Sequence, residues 1–375
     1  MKQLDLRILA MCVAIGLGGG FAKAAPWSLE KAQDWSKKTG WLVGCNFIPS
    51  TAINQLEMWQ AETFDPVTID RELGWAEQIG FNSVRVFLHH LAWKQNPQGF
   101  LERMDKFLSL AQKHKIGVLF VIFDSCWDPL PKPGKQREPR PFVHNSGWVQ
   151  DPGREVLLHP ERLDELKPYV IAVLTRFAND SRVHGWDLFN EPDNDNRNSY
   201  GANGEKTEPP NKAALTLPLL QRVYSWAREV PLSQPVTAGV WIGDWGNSER
   251  LSAFEKIMLE QSDVISFHNY GNLESLKKCI SNLRRYNRPI LCTEYMARAS
   301  GSTFDPNLGY LKEQGVGAYN WGFVAGKTQT IYPWDSWQKK YTNEPPVWFH
   351  DIFRPNGEPY RQEEVRYIKS ITGRR

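Results

Sequence analysis

Two carboxylates stand out by where they sit. Glu191 follows the apolar run of WDLFNEP (186–192), and Glu294 lies in PILCTEY (289–295), each at the close of a strand-like stretch. A carboxylate buried without a partner is costly, so such a run points to a strand whose end opens into a cleft. If both strands belong to one parallel barrel, the two groups project from the same face although they are far apart along the chain. Two acids facing each other across a barrel mouth suit cleavage of a glycosidic bond. One would donate a proton and the other act as nucleophile, and a retaining course needs them about 5–5.5 Å apart.

The elements that must position them are legible along the chain. Near-continuous apolar runs read as strands at 41–47, 83–88, 117–123, 185–190, 235–242, 264–270, 289–295 and 315–323. Helical patterns lie between them, such as LERMDKFLSLAQKHK, where Leu101, Met104, Phe107, Leu108 and Ala111 recur at three-and-four spacing. Strands apolar on both faces belong in a parallel sheet covered on both sides. Eight such units predict a single α/β domain, a (β/α)8 TIM barrel. An open doubly wound sheet is the alternative, but no glycine-rich phosphate motif follows any strand. Arg85 interrupts an apolar strand between Val84 and Val86, and alternation turns it into the barrel. Two connections are long, 124–160 after the third strand and 324–349 after the eighth, and loops of that length in a compact domain are usually functional. They hold several of the 16 tryptophans, among them Trp127, Trp148, Trp334 and Trp337, where a large apolar ring needs a reason.

Residues 1–24 read as an export signal. Lys2 and Arg7 flank a short basic start, an apolar run spans 8–21, and Ala22-Lys23-Ala24 gives a small-x-small cleavage site. The apolar run is short for a membrane span. Residues 25–375 then form the catalytic domain, exported to the periplasm or beyond the cell, with no stable membrane insertion. The formal charge is +3, of which the leader carries three positive and one negative group, leaving +1. Nothing there calls for nucleic acid or an anionic membrane, and a neutral substrate fits. No metal is expected, because the eight histidines show no ligand spacing. No other cofactor and no protein partner is implied. Of Cys45, Cys126, Cys279 and Cys292, buried free thiols are the reading, and Cys279–Cys292 is the pair if a bridge forms.

Taken in order, the motifs resemble the glycoside hydrolases of family 5, (β/α)8 retaining glycosidases of the cellulase type. Asn190-Glu191-Pro192 matches their acid/base motif on the fourth strand, and Glu294 their nucleophile on the seventh. Arg85 matches the arginine near that nucleophile, His268 and Tyr270 the His-x-Tyr of the sixth strand, and Trp321 the strand-eight aromatic. The resemblance implies that Arg85 and Tyr270 hold Glu294 ionised, that Asn190 contacts the sugar 2-hydroxyl, and that Trp321 floors the sugar subsite. The nearby Glu294 anion would raise the pKa of Glu191. Asn46, Asp124, His89, His90, Trp127 and Trp148 complete the expected substrate-binding set. One departure stands in VIFDSCW: Asp124 replaces the family's strand-three histidine, and His89 and His90 are the residues that could compensate.

The resulting expectation is an exported retaining hydrolase of β-linked, plant-type oligo- or polysaccharides, with two aromatic loops narrowing the site. An open-cleft endo-β-1,4-glycanase of the cellulase, mannanase or xylanase type is the alternative. A non-catalytic carbohydrate-binding barrel is a third reading, which predicts loss of one carboxylate; both are present.

Overall fold

The computed structural model describes residues 25–200 and 207–374; the leader assigned to 1–24 lies outside them. Eight parallel strands form the centre: β1 (Val43–Asn46), β2 (Ser83–Phe87), β3 (Gly117–Asp124), β4 (Val183–Asn190), β5 (Val236–Thr237), β6 (Ile265–His268), β7 (Ile290–Tyr295) and β8 (Gly317–Asn320). They pair in the order β5-β4-β3-β2-β1-β8-β7-β6. A parallel bridge from Val240 to Phe267 spans the remaining seam between β5 and β6. A helix follows each strand, so the expected (β/α)8 barrel is the observed fold.

The reason for the continuous apolar runs is visible in the packing. Outward side chains such as Val84, Val86, Val118, Phe120 and Trp186 are fully buried beneath the helices. Inward residues Leu42, Leu119, Val264, Leu291 and Tyr319 form a separate layer, covered by Trp35 of the helix Leu29–Thr39. Helices start where the sequence caps them. Asp65 and Asn96 each accept a backbone N–H ahead of a proline, and Ser252 with Glu255 forms a capping box. Along Pro97–Lys113, Met104, Phe107, Leu108 and Ala111 are buried and Leu101 is partly so, as their spacing requires.

Two elements differ from the sequence reading. The run 235–242 gives only a two-residue strand. Gly239 breaks it, and a Cβ there would come within 3.4 Å of His268 Nε2, so the missing side chain makes room for that ring. The helical pattern of LDELKPYVIAVLTRFA (163–178) begins as a 3-10 turn over Pro160–Leu166 and turns α-helical at Lys167, next to Pro168. Cys45, Cys126, Cys279 and Cys292 are free, so Cys279 and Cys292 are not bridged.

The two long loops bind each other above the barrel mouth. His144 N–H donates to Ser336 Oγ, Trp337 Nε1 donates to the His144 carbonyl, and Asn145 N–H donates to the Thr328 carbonyl. The rings of Trp127 and Trp337 stack with centroids 6.0 Å apart.

Candidate active site

Arg85 organises the mouth. Its guanidinium is wholly buried and donates to Asp187 Oδ2 (2.7 and 3.0 Å), Glu294 Oε1 (2.8 Å), Asn190 Oδ1 (2.7 Å) and Asn46 Oδ1 (2.8 Å). A buried cation with that many acceptors is fixed in place, and it fixes Asn190 and Glu294 in turn. Tyr270 donates its hydroxyl to the other oxygen of Glu294 at 2.7 Å. Burial pushes the Glu294 carboxyl up, whereas the charge of Arg85 and the Tyr270 hydrogen bond favour its ionised form.

Glu191 follows β4 with φ +43°, a left-handed backbone that a non-glycine residue seldom adopts at a strand end. His268 Nδ1 lies 2.7 Å from its Oε1, and Asn194 Nδ2 donates to its Oε2 at 2.6 Å. The Cys126 thiol donates to the same Oε2 at 3.6 Å. Among the described residues no guanidinium hydrogen-bonds to it. Burial therefore raises its pKa to about 7, with Asp193 adding to the rise. The expected cause, the charge of Glu294, is not the main one; desolvation is. Burial also lowers His268 to about 4, so this ring is neutral near pH 7. One oxygen from each carboxylate and one His268 nitrogen lie within 4.8 Å of one another.

These groups line a cavity of about 310 Å³ together with Asn190, Tyr270, Trp321 and Trp127, and with Cys126, His144, Asn194, Trp241 and His350, none of which was among the expected site residues. The Trp241 Nε1 donates to Asp193 Oδ1 at 2.7 Å, which holds the ring at the wall on the Glu191 side. Asp187 was also missed. It reads as an ordinary strand residue, yet a buried Arg85 needs an anion, and β4 alternation from Gly185 puts Asp187 inside.

Several expected sugar contacts are instead braces. Asn46 is spent on Arg85 and on the carbonyls of Thr293 and Asn320. Asp124 is almost wholly buried and accepts from Trp148 Nε1, Gln55 Nε2, Asn190 Nδ2 and its own loop's Cys126 N–H. It orients Asn190 from behind. Burial raises its pKa to about 7. Trp148, 2% exposed, sits edge-on to Phe87 and Trp321 and backs the Trp321 ring without reaching the cavity. His89 and His90 do not compensate for the absent strand-three histidine. His89 is held by the Gln150 carbonyl and the Leu91 N–H, and His90 by the Asp151 carboxylate. His90 faces a different cavity, of about 480 Å³, on the outer side of the strand-three loop. The sequence placed these two correctly at the end of β2, but the chain turns into the helix His90–Gln95 there and carries them away from the mouth. The histidines also come together without linear spacing: His89, His90 and Asp151 form a buried trio whose own hydrogen bonds account for its arrangement.

Comparison with known proteins bears on this geometry. Residues 186–313, which include both carboxylates, match the family model described as a glycosyl hydrolase catalytic core. A search of the curated proteins gives no match. Among solved structures, the exo-beta-1,4-mannosidase Op5Man5 from Opitutaceae bacterium strain TAV5 superposes with a TM-score of 0.58 at 16% identity over 89% of this chain. The chain spans 59% of that mannosidase. A GH5_18 protein from Streptomyces cattleya, solved with GlcNAc, gives 0.56 at 12% identity, covering 89% of this chain and 80% of that one. The β-mannanase of the blue mussel Mytilus edulis gives 0.55 at 18%, covering 82% and 94%. These likenesses show the barrel. Over 186–313 the chain is similar to that glycosyl hydrolase catalytic core, and the matched stretch spans both acids at the mouth of the barrel.

Proposed function

We propose that the protein is an exported retaining hydrolase that cleaves β-glycosidic bonds in plant-type oligo- or polysaccharides, trimming short chains or side branches in a narrow site. In the first step Glu294 attacks the anomeric carbon while Glu191 gives its proton to the leaving oxygen. In the second, Glu191 takes a proton from water, whose oxygen displaces Glu294. The observation that carries this reading is the closeness of the acids, with an oxygen of each inside a 4.8 Å cluster. An inverting pair would stand about 6.5–9.5 Å apart to admit a water between them. The narrow site is favoured by the interlocked loops, which put Trp127 and His144 on one side of the cavity and Trp334 and His350 beside them. β-1,4-Mannosides head the substrate panel, since the names of the mannosidase and the mannanase among the similar structures specify that class of sugar. The test is proton NMR of the first product, before mutarotation. The substrate's anomeric configuration is expected, and the opposite configuration overturns the retaining course.

A further inference from the structure

Glu191 has to work twice with opposite charge, as an acid and then as a base, and the contacts on its two oxygens are unlike. Oε1 meets a neutral imidazole, which can give or accept a proton. Oε2 meets donors only. The Asn194 amide is oriented by the Asn196 N–H, which donates to its Oδ1 at 2.7 Å, so the group facing Oε2 is the NH2. That same NH2 lies 3.4 Å from Cys126 Sγ, and the thiol lies 3.6 Å from Oε2. Asn194 can therefore give one hydrogen to the carboxylate and one to sulfur, and the thiol turns its own hydrogen toward the carboxylate. The thiol stays protonated, because burial and the Glu191 charge push it up.

We propose that Asn194 and Cys126 form a two-donor clamp on Glu191 Oε2, which keeps the proton on Oε1 and holds the carboxylate ready to act as base in the second step. The inference rests on the double-displacement reading above. In that step a water O–H bond breaks and its proton goes to Glu191. The new C–O bond forms to the water oxygen as the bond to Glu294 breaks, and that electron pair stays on the Glu294 carboxylate. A clamp of donors stabilises the ionised acid/base. Its loss leaves more of Glu191 protonated when the second step needs it ionised, while Glu191 remains a competent acid. Both residues are positioning residues. The other charged or titratable groups around Glu191 and its clamp are His268 on β6, Tyr270 beyond it, Glu294 on β7, Arg85 on β2, Asp193 on its own turn, and Asp124 and Lys212 around Cys126. None of them changes in the variants below.

The experiment uses Asn194→Ala, Cys126→Ala and Cys126→Ser in the full chain, with two readouts. The first is the Glu191 titration followed by NMR of carboxyl-labelled glutamate, assigned by the signal missing in Glu191→Gln. The expected result is a higher Glu191 pKa in Asn194→Ala and a smaller rise in Cys126→Ala, with Cys126→Ser restoring the wild-type value because a hydroxyl also donates. The second is kinetics on a dinitrophenyl glycoside that needs no acid. In Asn194→Ala kcat should fall about tenfold, the factor that losing one hydrogen bond to a charged group implies. There kcat/KM changes little and a burst of dinitrophenol appears. An unchanged titration in both Asn194→Ala and Cys126→Ala overturns the clamp whatever the activity. Equal loss of kcat and kcat/KM without a burst also overturns it. If Asn194→Ala does not fold, the Cys126→Ala and Cys126→Ser pair decides alone. Wild-type protein that turns over no glycoside defeats the functional reading instead, and the titration still judges the clamp.

Discussion

Burial pushes Glu191 and Glu294 in the same direction, and their neighbours then separate them. Glu294 faces Arg85 and Tyr270, which favour its ionised form; Glu191 faces a neutral histidine and keeps a pKa of about 7. The proposed first step needs Glu191 protonated and Glu294 ionised. The sign follows: kcat/KM should fall as pH rises through about 7 and Glu191 loses its proton. It should fall again at low pH as Glu294 gains one, and a pH–rate profile checks both limbs. Glu294→Gln is expected to abolish turnover of every substrate with the fold intact, because no covalent intermediate can form. Retention of more than a few per cent of activity would show that Glu294 is not the nucleophile. Glu191→Ala should lose about 10²–10⁴-fold on substrates with poor leaving groups. It should lose far less on dinitrophenyl glycosides, and recover rate when azide is added. The two acids were legible because each closes an apolar run. The Asn194 and Cys126 contacts were not, since nothing in a linear sequence says that a turn residue will fold back onto the carboxylate three positions earlier.

At the scale of elements, β4 contributes more than the acid itself. Asp187 answers Arg85, Asn190 links Arg85 to Asp124, and Glu191 leaves the strand in a left-handed turn. Removing the Asp187 charge leaves a buried guanidinium short of an anion, so Asp187→Leu should cost about 3–5 kcal/mol in urea unfolding. Asp187→Asn, which keeps an acceptor, should cost less. The strands and the helices with capping residues were readable because local signals and burial agree there. The braces were misread as sugar contacts for one physical reason. A polar residue at a strand end faces either the cavity or its neighbours, and which it does depends on partners supplied by other strands. Asn46 and Asp124 found such partners in Arg85, Trp148 and Gln55. In the loops, Trp337 stacks behind Trp127 and does not line the cavity. Loss of a stacked pair is worth about 0.5–1.5 kcal/mol, so Trp337→Ala should raise KM about two- to tenfold with kcat nearly unchanged.

The whole molecule sets the barrel as a rigid base and hangs the shape of the site on two loops that grip each other. That grip changes what a deletion would do. Residues 132–135 of the strand-three loop are exposed, but His144 to Gln150 are buried, and His144 carries hydrogen bonds to the strand-eight loop. Removing 130–147 as an exposed insertion would therefore cost stability, contrary to what its proline-rich sequence suggests; a cut confined to 132–135 spares the buried segment. The strand-eight loop is seated from below as well. Gly326 lies so close to Ser50 that a Cβ would sit 2.4 Å from its carbonyl oxygen, and Lys327 N–H donates to that same oxygen. On the proposed narrow-site reading, the loops close one side and the site admits chain ends or short chains, whereas internal cleavage of a polymer needs room on both sides of the acids. On a soluble β-mannan or glucan, viscosity should then fall slowly for each reducing end released. A rapid drop in viscosity with few new reducing ends would mean that long chains pass through the site, and the interlocked loops would have to be read as one bank of an open cleft.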